Sequence, residues 1–98
     1  MTLADYATRW LDARSALRPT TRGKYGHLLR AHVLPALGGL PLASLAPSQV
    51  RAWYHDLAQR HQTTADDAYR MLRAILNTAV ADGALGRSPC QVKGAGQV

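Results

Sequence analysis

Glutamate is absent from this 98-residue chain, so its six acidic residues are all aspartate, set against twelve Lys and Arg for a formal charge of +6. An excess of that size favours a polyanion as partner, although solubility alone makes many small domains basic. Cysteine occurs once, as Cys90, which excludes an internal disulfide and suits a reducing cytosol; so close to the tail it reads as a bystander rather than a nucleophile. No run approaches the ~18 apolar residues of a membrane span, and Met1 to Asp5 do not form a basic segment leading into an apolar one. The expectation is a soluble cytoplasmic protein with no membrane partner. The histidines 27, 32, 55 and 61 are scattered, without the C-x-x-C or H-x-x-x-H spacing that gathers a metal. Gly38-Gly39 runs into Leu40-Pro41 rather than opening a helix, so no phosphate-cradling loop is present and no cofactor is expected.

Sustained period-two alternation is also missing, and what remains is helical periodicity. Thr2 is placed to cap a first helix with Asp5 in its opening turn; Leu3, Tyr6, Ala7, Trp10 and Leu11 share one face, and the helix is expected to end near Arg14 to Ala16. A second begins at Pro19, with Thr20 or Thr21 as the capping residue. Its apolar stripe is Tyr25, Leu28, Leu29 and His32, and a separate stripe of Thr20, Lys24, His27 and Ala31 lies roughly opposite; Pro35 with Gly38-Gly39 is expected to stop it. Pro47 starts a third helix, burying Val50, Trp53, Tyr54 and Leu57 and turning Arg51, His55 and Gln59 outward. The fourth is the longest, with Thr63 or Thr64 as cap, Asp66 and Asp67 complementing its dipole, and Gly83 as terminator. Ala68, Tyr69, Leu72, Ile75, Leu76 and Ala79 form its core face, while Asp66, Arg70, Arg73 and Asn77 form a polar stripe. The predicted fold is an all-α bundle of four helices in one domain, long enough to bury roughly 60 to 65% of its unfolded surface.

The order of these signals resembles the core-binding domain of phage integrases and other tyrosine recombinases. The resemblance rests on Thr21-x-x-x-Tyr25, His32-Val33-x-Pro35-x-Leu37-Gly38 and Leu42-x-x-Leu45-x-Pro47-x-x-Val50, then Thr64 with the long helix to Ala79, Asp82-Gly83 and Ser88-Pro89. It covers nearly the whole chain, from Tyr6 and Trp10 to about Val92. Two positions depart: Ser88 stands where the family usually has asparagine, and Ala46 where a Thr or Ser usually caps the third helix. The resemblance implies a SAM-like orthogonal bundle over residues 1–90 and an exit segment, 91–98, leading toward a catalytic domain of the same parent protein. It implies double-stranded DNA at a recombination core site as partner, held in the major groove, with other recombinase subunits met on that DNA.

Enzymes of that family cut DNA with a tyrosine, supported by arginines, a histidine and a lysine. His27-Leu28-Leu29-Arg30 spells His-x-x-Arg, yet it falls on the second helix and a two-residue match arises readily by chance. Tyr69 is the last tyrosine and belongs to a buried stripe, so no nucleophile is expected here and this polypeptide alone is not expected to be an enzyme. By resemblance the DNA-contacting residues are Thr20, Thr21, Arg22 and Lys24 at the start of the second helix, and Thr63, Thr64, Asp67, Arg70 and Arg73 on the fourth. Lys24 and Arg70 suit guanine edges, whereas Arg22 and Arg73 suit phosphates. Local readings stand beside these: Thr20 and Thr64 as caps, Asp67 as a dipole partner, Arg18 and Arg30 as solvated charge. Trp10, Trp53 and Tyr54 could stack on bases, but their helical spacing reads as core. Two other functions compete, a helical protein-interaction module and a helix-turn-helix regulator. The second is disfavoured because the link between helices two and three exceeds the usual turn of about 3 to 4 residues.

Overall fold

A computed structural model describes residues 1–14 and 18–86. The exit segment 91–98, Cys90 and Ser88-Pro89 lie outside the described residues, as does the expected end of the first helix beyond Arg14. The elements are α1 (Leu3–Asp12), α2 (Pro19–Leu28) continued by a π-helical segment (Leu29–Gly38), a short 3₁₀ turn (Leu42–Ser44), α3 (Pro47–Arg60) and α4 (Gln62–Ala81). No strand occurs among the described residues, and the expected all-α, four-helix SAM-like bundle is what is found.

The buried set follows the sequence periodicity closely. Leu3, Ala7 and Trp10 of α1, Leu28, Leu29, Val33 and Leu37 of α2 and its extension, and Val50, Trp53, Tyr54 and Leu57 of α3 converge on α4. That helix supplies the centre, with Ala68, Leu72, Ile75, Leu76 and Ala79 all fully buried. Trp10, Trp53 and Tyr54 are therefore core residues, not a stacking platform. Their polar atoms are nonetheless satisfied: Trp53 Nε1 donates to the His32 carbonyl at 2.8 Å, and Trp10 Nε1 to Thr78 Oγ1 at 3.3 Å. Arg14 lies over the Trp10 ring at 4.2 Å and donates to the same Thr78 oxygen, tying the end of α1 to α4.

The helix boundaries differ from the sequence expectations in ways that matter for the site. Thr2 does cap α1 in a reciprocal box with Asp5, but the helix ends at Asp12 with Ala13 as C-cap. Arg18 rather than a threonine is the N-cap of α2, and its side chain makes no capping bond; Pro19 occupies the first helical position, and Thr20 and Thr21 follow inside the first turn. In α4 the cap position belongs to His61, again without a side-chain bond, so Thr63 and Thr64 lie within the helix. The first turn of α4 consequently contains no acid. Asp66 and Asp67 sit in the second turn, where the dipole's influence has faded.

Pro35 does not stop the second helix. Its ring would press on the Ala31 carbonyl in tight α geometry and it has no N–H to donate. The chain instead continues to Gly38 in wider π turns. Gly38 is needed there for closeness: a Cβ would meet Leu34 at 3.1 Å and Ala4 of α1 at 3.4 Å. The following loop is strapped to the N-terminus, Leu3 N–H donating to Leu40 O and Leu42 N–H to Met1 O. Ala46 begins α3 without a capping side chain, but Gln49 Oε1 accepts its N–H at 2.8 Å. α4 ends as expected on Gly83, whose φ of 80° suits only glycine. Ala84 N–H to Ala79 O and Gly83 N–H to Val80 O close the Schellman pattern.

Candidate nucleic-acid interface

α2 and α4 pack so that the outward stripe of the first meets the opening turns of the second. Lys24 Nζ of α2 lies 3.1 Å from Asp67 Oδ2 of α4, and Arg70 Nη2 donates to Asp67 Oδ1 at 2.5 Å. One carboxylate thus holds two cations supplied by two helices. Asp67 is half-buried, its side chain 21% exposed against 57% for Lys24 and 38% for Arg70. The Arg70 hydrogen bond, with further help from Lys24, holds its carboxyl below the ordinary carboxylate value despite the opposing effect of burial. Tyr25, Leu28 and Met71 complete the lining of an open cleft of about 240 Å³ between these three charged groups.

Helical spacing puts the threonines one turn ahead of the cleft's charged groups, outside its lining. Thr20 and Thr21 lie one turn before Lys24, and Thr63 and Thr64 one turn before Asp67, on the same faces. Thr20 and Thr63 are exposed, and Thr21 and Thr64 half-exposed. Arg73 continues the α4 stripe one turn beyond Arg70; it is exposed, with its guanidinium 6.0 Å from the Tyr69 ring centroid. Of the nine sequence-derived positions, Lys24, Asp67 and Arg70 are brought together in one cleft; the four threonines lie a turn before it, and Arg73 sits about half a turn round α4 from Thr64.

Arg22 is the residue set apart. Two positions from Lys24 along a helix is a rotation of about 200°, and its guanidinium turns to α1, pairing with Asp12 and donating to the Arg14 carbonyl, both at 3.4 Å. Asp66, next to Asp67, likewise turns elsewhere. It accepts from Tyr54 Oη at 2.5 Å and from the Gln62 amide, joining α3 to α4. The role of Asp67 as a shared counter-ion was not legible in the sequence. The Asp67–Arg70 spacing of three was a visible helical pair, but Lys24 arrives only through the packing of α2 on α4.

The histidines occupy the neighbouring edge. His27 is exposed and meets the ring of half-buried His32 edge-on at 5.9 Å. Burial, together with the positive surroundings of His27, His61 and Arg60, lowers the His32 pKa. Among the described residues no group of three or more His, Cys, Asp or Glu is arranged to hold a metal ion, and no helix is long and apolar enough to cross a membrane.

Residues 2–58 match the family model described as the phage integrase N-terminal SAM-like domain. The integrase of Mycobacterium phage L5 is 34% identical over 95% of this chain, and a putative prophage phiRv2 integrase of Mycobacterium tuberculosis is 36% identical over 93%. The chain spans only about a quarter of those relatives, 25% and 24% of their lengths. Among solved structures, the Tn1549 transposon integrase in complex with circular intermediate DNA superposes with a TM-score of 0.85 at 21% identity, over 95% of this chain and 31% of that one. At that identity the likeness speaks to the fold. The charged face just described is thus carried on a bundle whose sequence and shape agree, and the chain belongs to the phage integrase N-terminal SAM-like domain family.

Proposed function

We propose that this domain binds duplex DNA at a recombination core site, laying the starts of α2 and α4 into the major groove. The observation that carries the reading is the shared cleft: Lys24 and Arg70, from different helices, stand side by side on one carboxylate. Cationic side chains of this kind pair with guanine O6 and N7, and hydroxyls accept or donate to bases and phosphates. Arg73, further out on the same stripe, is a phosphate contact, and Arg22 reaches phosphate only by leaving Asp12. Asp67 belongs to the same interface. The +6 charge supplies the sequence-independent attraction. The Tn1549 integrase, of like fold, is in complex with DNA, which supports the reading.

In this reading the domain grips and positions. Strand cleavage belongs to a catalytic domain of the same parent protein, and other recombinase subunits are met on the DNA. A protein-interaction module, its basic face meeting an acidic partner or a neighbouring recombinase subunit, would rest on charge alone, since Met1 is the sole large hydrophobic residue exposed among the described residues. Against a helix-turn-helix regulator stands the link between the helices: residues 39–46 and a 3₁₀ turn separate the π segment from α3.

Selection from a pool of randomised 20-bp duplexes supplies the probe for the test, and the enriched sequence and a scrambled one are then titrated at several salt concentrations. Lys24→Ala or Arg70→Ala should lower discrimination between the two by roughly 1 to 3 kcal/mol. Arg73→Ala should weaken both about equally and reduce the log–log salt slope by about one. Variants that all bind both duplexes like the parent would overturn the reading.

A further inference from the structure

Resting on that reading, we infer that Asp67 is a specificity-determining residue that withholds Lys24 and Arg70 from non-cognate DNA. A carboxylate in the middle of a proposed DNA-binding face looks counterproductive, since it faces a polyanion. Its geometry gives it a use. Both cations of the cleft are bound to the same aspartate, at 3.1 Å and 2.5 Å, so three groups present one net positive charge rather than two. Arg22, by contrast, is paired on the far side with an exposed aspartate, and Arg60 with exposed Asp56. Asp67 is distinguished from those by being half-buried and by holding two cations at once.

A phosphate is drawn to Lys24 or Arg70 by charge, and a carboxylate of similar charge, already in place and already desolvated in part, offsets that charge unless it is displaced. Phosphate for carboxylate is a near-even exchange of ion pairs, so random duplex gains little from the cleft. A guanine edge offers something the carboxylate exchange does not. Its O6 and N7 are uncharged acceptors that call for a correctly placed donor rather than a net positive charge, and offsetting the charge of Lys24 and Arg70 does not remove them as donors. Asp67 therefore lowers the ionic contribution of the cleft on every sequence while leaving base contacts available on the right one. Exposed ion pairs are weak individually, so the restraint is one that DNA can rearrange, not a lock.

Two substitutions separate this effect from a change in total charge. Asp67→Asn keeps the shape and leaves an amide oxygen for Arg70, but removes the negative charge. Asp56→Asn removes the same formal charge from the exposed Arg60 pair. Each freed phosphate contact adds about 0.9 to the salt slope, so Asp67→Asn should bind a random 20-bp duplex roughly five- to thirtyfold more tightly at 0.15 M salt, with a slope steeper by about one to two. Selection from the randomised pool should return a flatter sequence preference than the parent gives. Asp56→Asn should change affinity by less than about twofold and leave the preference intact.

Circular dichroism and thermal melting establish that each variant is folded, and Asp67→Glu, which retains the charge, should stay close to the parent. Equal random-duplex affinity and equal sequence preference for Asp67→Asn and a parent that does bind DNA would overturn the inference alone. The same gain for Asp56→Asn as for Asp67→Asn would also overturn it, as general electrostatics. A parent with no salt-dependent duplex binding would overturn both this inference and the reading beneath it.

Discussion

A carboxylate that accepts from a guanidinium and an ammonium at once resists protonation, and in Asp67 this has a consequence for stability as well as for recognition. Its folded-state pKa lies below the ordinary value of 3.8. The two ion pairs are therefore fully stabilising above the unfolded value, and that contribution disappears as pH falls through the folded one. With both cations partly exposed, it amounts to no more than about 1 kcal/mol. In thermal melts from about pH 6 down to about pH 2, the parent should start somewhat above Asp67→Asn and the difference should close on acidification. A difference that is constant over the whole range would show that Asp67 stabilises through shape alone. The site was legible in part at this scale. Thr20 with Lys24, and Arg70 with Arg73, could be placed on outward stripes from spacing alone, because a helix face depends only on local periodicity. Arg22 could not be separated from them, since its turn toward Asp12 depends on where α1 ends, and the partners of Asp67 depend on a helix some forty residues away in sequence.

Helix faces were easier to read than helix ends. Every residue assigned to the core stripes of α3 and α4 is buried, and Ala65 and Met71 join them without having been singled out. The caps were misread because a threonine next to an apolar run is a strong capping signal, yet α2, which does begin at Pro19, and α4 take Arg18 and His61 as caps, whose side chains make no cap bond. Of the expected stop, the Gly38-Gly39 pair does end the helix and Pro35 does not. The ring excludes α geometry but not a wider turn, and Val33 and Leu37 on either side bury enough surface to carry the helix through. Because α4 packs on α2, its π extension and α3 through a narrow apolar stripe, its centre is where stability is concentrated. Leu72 is fully buried, and Leu72→Ala should cost on the order of 2 to 5 kcal/mol in denaturant unfolding, the range for cavities left by buried leucines. A variant as stable as the parent would mean that the bundle is looser than its packing indicates.

For the molecule as a whole, the decisive chemical question is whether any of its four tyrosines can attack a phosphodiester. Each has a structural occupation. Tyr69 is buried against Tyr54, ring centroids 5.5 Å apart, and Tyr25 is half-buried with its ring 6.0 Å from that of Trp10. Tyr6 Oη donates to Asp82 at 2.9 Å, and Tyr54 Oη donates to Asp66. The last two are poor nucleophiles for a stated reason: a phenolate beside a carboxylate is disfavoured. Burial followed by Asp82 raises the pKa of Tyr6, and the Asp66 hydrogen bond followed by burial raises that of Tyr54. An activated nucleophile needs the opposite, a lowered pKa or an adjacent base free to take the proton. Incubation of this polypeptide with supercoiled plasmid should therefore leave plasmid topology unchanged from neutral to mildly alkaline pH, while gel shifts on the same DNA report salt-sensitive binding. Trapping a covalent adduct through Tyr6, Tyr25, Tyr54 or Tyr69 would contradict this.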